Sequence, residues 1–197
     1  ETPKLEVEAG LRLEYVRVNY EVNPNHNTYK SDGYNYTQPF PNVRLAYKIN
    51  ENNKLSVFFN RRVDRPNEVD IRIFPKYDEP ELIKVGNPTL KPQFTTSVEL
   101  GYRHLWNSGS LYGAAYHRQT DGTISRIATQ APNSVVLFNI FQNIGRSYNT
   151  GVELVWQQDF SKFVNLNASL NLYQNTIEAF NITNKYPIPT TYTGQKQ

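Results

Sequence analysis

The chain of 197 residues contains no cysteine and no methionine. Without cysteine it can form neither a disulfide framework nor a thiolate metal site. It also has no run of about 20 apolar residues, which excludes a membrane-spanning helix but not a membrane barrel, whose strands are short and apolar on one face only. No P-loop, G-x-G-x-x-G or G-x-S-x-G motif is present, so the sequence gives no support for nucleotide binding or serine hydrolase chemistry.

Charge of one sign is also scarce. Lysine and arginine number 21 against 18 acidic residues, which gives a net charge of +3. No basic run is long enough to read as a nucleic-acid-binding tail. We therefore predict no nucleic-acid partner.

The residues that most often carry catalysis or bind metal are poorly grouped. The three histidines are not spaced as metal ligands, and the acidic residues between positions 64 and 81 have the pattern of a solvated loop. No metal, cofactor or catalytic residue is predicted, and the chain is not expected to be an enzyme. The groups considered were His26, His104 and His117, and Asp64, Asp70, Asp78, Glu79 and Glu81.

Aromatic residues, in contrast, are plentiful. The chain has 14 tyrosines and 10 phenylalanines, yet its mean hydropathy is −0.64. Rich aromatic content with a polar average is typical of strands that are apolar on one face and wet on the other.

The clearest element is a strand from Leu5 to Tyr20, in which apolar and charged residues alternate. A period of two puts the apolar residues on one face. The alternation keeps its register for about 11 residues, up to Tyr15, which is the length of a tilted strand that crosses a membrane. Beyond Tyr15 the apolar residues Val16 and Val18 change face, which indicates that the strand leaves an apolar band.

Seven such strands follow one another, joined by connections that alternate between long and short. The short ones are predicted at Asn50–Asn53, Trp106–Gly109 and Phe160–Lys162, and residues 21–41 are predicted to be a long loop. The third long excursion contains a less polar stretch, Val135–Phe141, which is either an extra strand or a folded-in segment. The pattern predicts an all-β fold, an antiparallel up-and-down meander of about 7–8 strands, with all short turns at one end. One face is predicted to carry Leu5, Leu11, Leu13, Val43, Leu45, Leu55, Val57, Val98, Leu100, Val152, Leu154, Leu166, Leu170 and Leu172.

Three motifs frame the second long excursion, and they occur in a fixed order: Asn60–Pro66, Gly86–Pro92 and Val98–Tyr102. Pro66, Pro88 and Pro92 cannot donate to a ladder, so they bound a loop of about 28 residues. Loops of this length are usually functional or disordered.

Together these motifs resemble the barrel of TonB-dependent outer-membrane receptors, particularly the Bacteroidetes-type outer-membrane β-barrel family. In that family an "SRR-x-x-RP"-like motif leads into an outside loop, which closes with "GNPxLKPE" before a strand "xxxELGY". Here Asn60 replaces the usual small residue and Gln93 the usual acid. The resemblance extends over most of the chain, from Ala9–Arg12 to Asn165–Leu170.

The resemblance implies that residues 1–197 are a single partial segment of a transmembrane β-barrel in the bacterial outer membrane, without the plug domain and the remaining strands. The expected partners are outer-membrane lipid, the plug of the same chain, TonB through the missing regions, and a surface lipoprotein. The charged face would then line the lumen and face the plug, although the same charges also suit a solvated sheet. These residues are Glu6, Glu8, Arg12, Glu14, Arg44, Lys48, Glu99, Arg103 and Glu153.

Aromatic residues in the outside loops are candidate ligand contacts, because their rings offer rigid amphipathic area. An interfacial aromatic belt, or packing among loops, explains them equally well. The candidates are Tyr29, Tyr34, Tyr36, Phe74 and Tyr77.

The function expected from the resemblance is import of a bulky nutrient, such as a siderophore, a cobalamin or a glycan. The alternative is a soluble all-β ligand- or carbohydrate-binding module, whose apolar faces would pack on each other. A barrel enzyme would need a nucleophile and a base at the rim, and the sequence offers no such pair.

Overall fold

The structure, a computed structural model, describes residues 4–25, 31–74, 76–79, 81–130, 133, 135–184 and 190–196. Within these ranges the chain forms thirteen strands and one short helix. In chain order the elements are β1 (Leu5–Tyr20), β2 (Asp32–Lys48), β3 (Asn53–Asp64), α1 (Glu68–Ile71), β4 (Lys76–Glu79), β5 (Leu82–Val85), β6 (Gln93–Trp106), β7 (Gly109–Asp121), β8 (Ile124–Gln130), β9 (Leu137–Asn143), β10 (Arg146–Asp159), β11 (Asn165–Ile177), β12 (Phe180–Asn184) and β13 (Thr190–Gly194).

Seven long strands form one antiparallel sheet in the order β1-β2-β3-β6-β7-β10-β11. Successive long strands are always neighbours, so the main sheet has no crossover. The three tight connections, residues 49–52, 107–108 and 160–164, lie at one end, and the long excursions lie at the other. The predicted all-β meander is thus confirmed, together with the predicted position of its turns.

One face of this sheet is apolar from edge to edge. Leu100 on the central strand β6 is 50% exposed, and Leu11 on β1 is 67% exposed, because no other part of the described chain covers this face. The predicted shared face is confirmed by the strand registers. One row of directly paired residues crosses all seven strands: Val7, Leu45, Val57, Leu100, Ala115, Val152 and Leu172.

The prediction that residues 21–41 form a loop is wrong for their second half. Strand β2 begins at Asp32 and pairs with β1 along its whole length, up to Tyr20. It contains Pro39 and Pro41, which a strand tolerates where it lacks a partner on one side. Pairing between β2 and β3 stops at Asn42, so both prolines lie in the part of β2 that is bonded to β1 alone.

The second and third long excursions fold together into a four-stranded sheet in the order β4-β5-β9-β8, which we call the cap. Strands β5 and β9 pair in parallel and join the two excursions. The less polar stretch is therefore a strand, one of the two predicted alternatives. The largest fully buried side chains of the described chain, Leu90 and Ile140, belong to these excursions and not to the main sheet.

Two smaller elements complete the fold. Helix α1 begins with a capping box, in which the Asn67 side chain accepts from the Asp70 backbone N–H at 3.0 Å and the Asp70 carboxylate accepts from the Asn67 N–H at 3.0 Å. Strands β12 and β13 form a separate antiparallel pair. Among the described residues, no helix is long and apolar enough to cross a bilayer.

Candidate functional site

The face opposite the apolar one is charged, and we call it the inner face. Directly paired residues on neighbouring strands share a face, and the register pairs Glu8 with Arg44 and Phe58 with Glu99. The same alternation brings all nine charged residues of the sequence analysis to this face. They are Glu6, Glu8, Arg12, Glu14, Arg44, Lys48, Glu99, Arg103 and Glu153.

Near the tight turns, the inner face is held together by a three-strand ion cluster. The Glu6 carboxylate on β1 lies 2.9 Å from Lys48 Nζ on β2 and 2.5 Å from Lys54 Nζ on β3. All three side chains remain about one-third exposed, so water screens both ion pairs and neither adds much to the stability of the fold. The cluster fixes the lining of this end more than it stabilises the fold.

The middle of the inner face combines tyrosine hydroxyls with acceptors on other strands. Tyr112 Oη donates to Glu99 Oε1 at 2.8 Å, and Tyr116 Oη donates to Asn171 Oδ1 at 3.0 Å. Arg103 and Glu153 make no hydrogen bond or ion pair with another described residue, so their charges remain available. A cavity of about 580 Å³ opens here, lined by Arg44, Lys54, Ser56, Phe58, Glu99, Arg103, Ser110, Tyr112, Val155 and Gln157.

At the end with the long excursions, Glu14 is the hub of a polar collar. Its carboxylate pairs with Arg12 Nε at 3.0 Å and with the guanidinium of Arg65, and it accepts from Tyr36 Oη at 3.3 Å. Arg65 also donates to Tyr36 Oη at 2.8 Å. The Glu14 side chain is 18% exposed, whereas those of Arg12 and Arg65 are 61% and 43% exposed, so the carboxylate is shielded but its partners are partly screened by water. Arg65 of the first motif thus ties its loop to β1 and β2.

Asn87, in the second motif, is a buried clamp in the cap. Its side-chain Nδ2 donates to the Phe141 carbonyl at 3.0 Å and to Gln142 Oε1 at 3.2 Å. Its Oδ1 accepts from the Thr89 backbone N–H at 3.0 Å and from the Thr89 hydroxyl at 2.6 Å. The asparagine therefore shapes its own turn and grips β9 of the other excursion.

Asn143, at the end of β9, makes the reverse connection. Its Nδ2 donates to the carbonyls of Lys91 at 2.9 Å and Gly122 at 2.8 Å, and its Oδ1 accepts from the Lys91 backbone N–H at 2.9 Å. Beside it, Gln93 Oε1 accepts from the Ile124 backbone N–H at 2.9 Å. Asn143 could not be predicted from the sequence, because nothing around it points to partners 52 and 21 residues away.

A second cavity, of about 310 Å³, lies between the start of β2, the start of β6 and the end of β7. It brings together two of the predicted ligand contacts, Tyr34 and Tyr36. Its lining is Tyr34, Asn35, Tyr36, Lys91, Pro92, Phe94, Asp121, Gly122 and Asn143.

The two tyrosines differ in whether their hydroxyl groups are free to bind a ligand. Their rings are parallel, with centroids 6.4 Å apart, and the Tyr36 ring meets Phe94 edge-on at 5.3 Å. Tyr36 Oη is occupied by Glu14 and Arg65. Tyr34 Oη has no hydrogen-bond partner among the described residues, and burial, followed by the effect of Tyr36, raises the pKa of Tyr34. Tyr34 therefore stays protonated near neutral pH and is a free donor.

The other three predicted aromatic contacts are not brought to this cavity. Phe74 is 71% exposed and does not line it. Tyr29 and the side chain of Tyr77 lie outside the described residues.

The described residues contain no group of three or more histidine, cysteine, aspartate or glutamate side chains able to hold a metal ion. His117 Nδ1 lies 2.7 Å from the Thr150 hydroxyl. This pair sits on the apolar face, and the imidazole ring stacks beside Tyr148, with centroids 5.7 Å apart. His104 Nδ1 lies 2.7 Å from Asn53 Oδ1.

In sequence, residues 1–194 match the outer membrane protein beta-barrel family. No curated protein matches the chain significantly. Among solved structures, the copper transporter OprC is similar at 15% identity and a TM-score of 0.67, over 89% of this chain and 27% of OprC. A Serratia marcescens hemophore receptor HasR double mutant, solved with its hemophore HasA and heme, is similar at 14% identity and a TM-score of 0.67, over 90% of this chain and 32% of HasR.

The FrpB iron transporter from Neisseria meningitidis is also similar, at 12% identity and a TM-score of 0.57, over 88% of this chain and 23% of FrpB. At these identities the likeness concerns the fold. The chain spans only about a quarter to a third of the length of these three proteins. OprC and FrpB are transporters, and HasR is a receptor.

Proposed function

Because this chain belongs to the outer membrane protein beta-barrel family, we propose that it forms part of the barrel wall of a TonB-dependent receptor that imports a bulky nutrient. The observation that carries the proposal is the two-faced sheet. One unbroken apolar row crosses seven strands, with a charged face behind it. A membrane barrel needs this arrangement, with lipid outside and a polar lumen inside.

The soluble alternative lacks the element it needs. A sandwich buries its apolar faces between two sheets, whereas the described chain leaves Leu100 half exposed and its neighbours uncovered. The family resides in the outer membrane, and we propose that lipid covers this face. The Bacteroidetes assignment rests on the three motifs alone.

We propose that the nine inner-face residues line the lumen and contact a plug domain of the same protein, and that residues 1–197 are one segment of a larger barrel. Arg103 is exposed and Glu153 is half-buried in the chain, and neither has a charged partner among the described residues. They support this because a plug that covered them would have to supply partners, since buried charges need them. Energy would arrive through TonB. A surface lipoprotein is a further proposed partner, at the cap end.

For the ligand, we propose a siderophore, a cobalamin or a glycan, recognised at the outside end. Tyr34 and Tyr36 are the best supported of the predicted contacts because they line one cavity. Phe74, Tyr29 and Tyr77 remain proposals on the sequence alone. We also propose that the protein is a carrier and not an enzyme. The structurally similar proteins OprC, FrpB and HasR, which are transporters and a receptor, support this.

The test is nutrient-limited growth of a strain whose only receptor is the full-length protein. Ferric siderophores, cobalamin and glycans are supplied one at a time, with TonB present or deleted. The proposal predicts growth on one of these classes that disappears without TonB. Growth on none of them, or growth independent of TonB, would contradict it.

The cavity is tested in the same strain. Tyr34→Ala is expected to raise the nutrient concentration needed for half-maximal growth by about tenfold, because it removes a half-buried aromatic ring and a free donor from the cavity. The control is Phe163→Ala, which removes an exposed aromatic ring in a tight turn at the opposite end. Equal effects of the two substitutions would remove Tyr34 from the site.

A further inference from the structure

The second and third long excursions, residues 65–92 and 122–145, are separate in sequence but form one sheet. Strand β5 of the first pairs in parallel with β9 of the second, from Leu82 opposite Leu137 to Val85 opposite Ile140. The Leu137 N–H also donates to the Glu81 carbonyl at 2.7 Å. Each excursion supplies two strands of this sheet, and an isolated two-stranded pair is marginally stable at best, so each excursion depends on the other for its structure.

Both excursions bury apolar side chains, and Val85 on β5 lies directly opposite Ile140 on β9. Val85 and Leu90 come from the first excursion, and Ile140 and Ile144 come from the second. All four are buried, and Ile140 is fully buried. Segments that share a core tend to open together as one cooperative unit.

Two asparagines, one in each excursion, form hydrogen bonds to the other excursion. Asn87 of the first excursion keeps its Oδ1 for its own turn and sends its Nδ2 across to the Phe141 carbonyl and the Gln142 side chain. Asn143 of the second excursion binds both the N–H and the carbonyl of Lys91 in the first. Asn87 is only 3% exposed, so losing this side chain would leave buried polar groups without partners.

We propose that Asn87 and Asn143 are positioning residues that join the two excursions into a single cap, which opens and closes as one body. Asn143 also sets the 310 Å³ cavity, because the two residues whose backbone it binds, Lys91 and Gly122, both line that cavity. Only this last role rests on the proposed function. Neither asparagine needs to touch the ligand.

The test is hydrogen exchange measured by mass spectrometry on the full-length protein in lipid bilayers, without any ligand. Asn87→Ala lies in the first excursion, yet it is expected to speed exchange by about tenfold or more in β8 and β9 of the second as well as in β5, because one cooperative unit is weakened. Asn143→Ala is expected to give the same pattern. The control is Asn107→Ala in the two-residue turn at the opposite end, which is expected to leave cap exchange unchanged.

Faster exchange confined to the excursion that carries the substitution would overturn the single-cap proposal. If Asn87→Ala prevents the cap from forming, Asn143→Asp decides, because it keeps the acceptor for the Lys91 N–H and loses both donated bonds. Coupled faster exchange in both excursions is then expected, and exchange like that of the parent protein would overturn the proposal. Since the measurement uses no nutrient, it can fail while TonB-dependent growth stands, and the reverse also holds.

Discussion

Substitutions of Leu100 can show whether the apolar face of the main sheet contacts lipid or packs against protein. Leu100 lies in the middle of β6, between Val98 and Tyr102 on the apolar face, and pairs with Val57 and Ala115. Half of its surface is exposed in the chain. If lipid covers that half, a larger apolar side chain should be accepted there, and a charged one should not.

The two environments predict different magnitudes for Leu100→Trp. On a lipid face it should cost less than about 1 kcal/mol, because acyl chains move aside, whereas overfilling a packed core costs about 1–3 kcal/mol. Leu100→Arg should cost about 2–4 kcal/mol near the bilayer midplane. The control is Asn42→Arg on the charged inner face of β2, expected to change stability by about 0.5 kcal/mol or less.

The assay is reversible urea unfolding of the full-length protein from liposomes, followed by tryptophan fluorescence or circular dichroism. The expected order of cost is Leu100→Arg well above Leu100→Trp, with Asn42→Arg near zero. A tryptophan penalty close to the arginine penalty would mean that this face packs against protein. The lipid-facing assignment, and the transport function that depends on it, would then be wrong.

Two further predictions concern the inner face. Glu14→Gln should lower the free energy of unfolding by about 1 kcal/mol, a figure discounted for the partial exposure of Arg65. The loss should shrink at high salt because the ion pair is screened. Urea midpoints at two salt concentrations check this, and a loss that does not depend on salt would contradict it. Gly151→Ala should cost about 1–3 kcal/mol, because its Cβ would lie 2.6 Å from the Leu172 carbonyl oxygen. Gly10→Ala, whose Cβ meets nothing within 4 Å, should stay within about 0.5 kcal/mol, and equal costs in the same unfolding assay would refute the packing argument.

The sequence was sufficient to predict the main sheet because its signal is local. Strand β1 has the predicted bounds, Leu5–Tyr20, since alternation along one strand is visible without knowing its neighbours. The start of β2 was missed because Pro39 and Pro41 read as loop residues. Whether a strand tolerates proline depends on which of its sides is paired, and that is a property of the assembled sheet.

The cap could not be predicted from local alternation, because its strands are short and their pairing joins distant segments. Strands β4 and β5 have four residues each, and the parallel β5–β9 pairing joins segments about 55 residues apart. The motif around Asn87 was visible, but its partners Phe141 and Gln142 were not. Tyr34 and Tyr36 were predicted as candidate contacts because they are aromatic residues in a predicted outside loop. Their shared cavity could not be predicted, because it depends on how β2 packs beside the start of β6.

The most direct test of the central claim is a nitroxide scan of β6 in the full-length protein reconstituted in bilayers. The 197-residue chain has no cysteine, so single cysteines placed along it from residue 96 to 104 can be labelled specifically. Collision rates with oxygen, which enriches in lipid, and with a water-soluble nickel chelate are then compared. Labels at Val98, Leu100 and Tyr102 should collide mainly with oxygen. Labels at Ser97 and Glu99, on the inner face, should collide with oxygen much less often, so that oxygen accessibility alternates along the strand. Ready access of the nickel chelate to Leu100 would contradict a barrel wall that faces lipid.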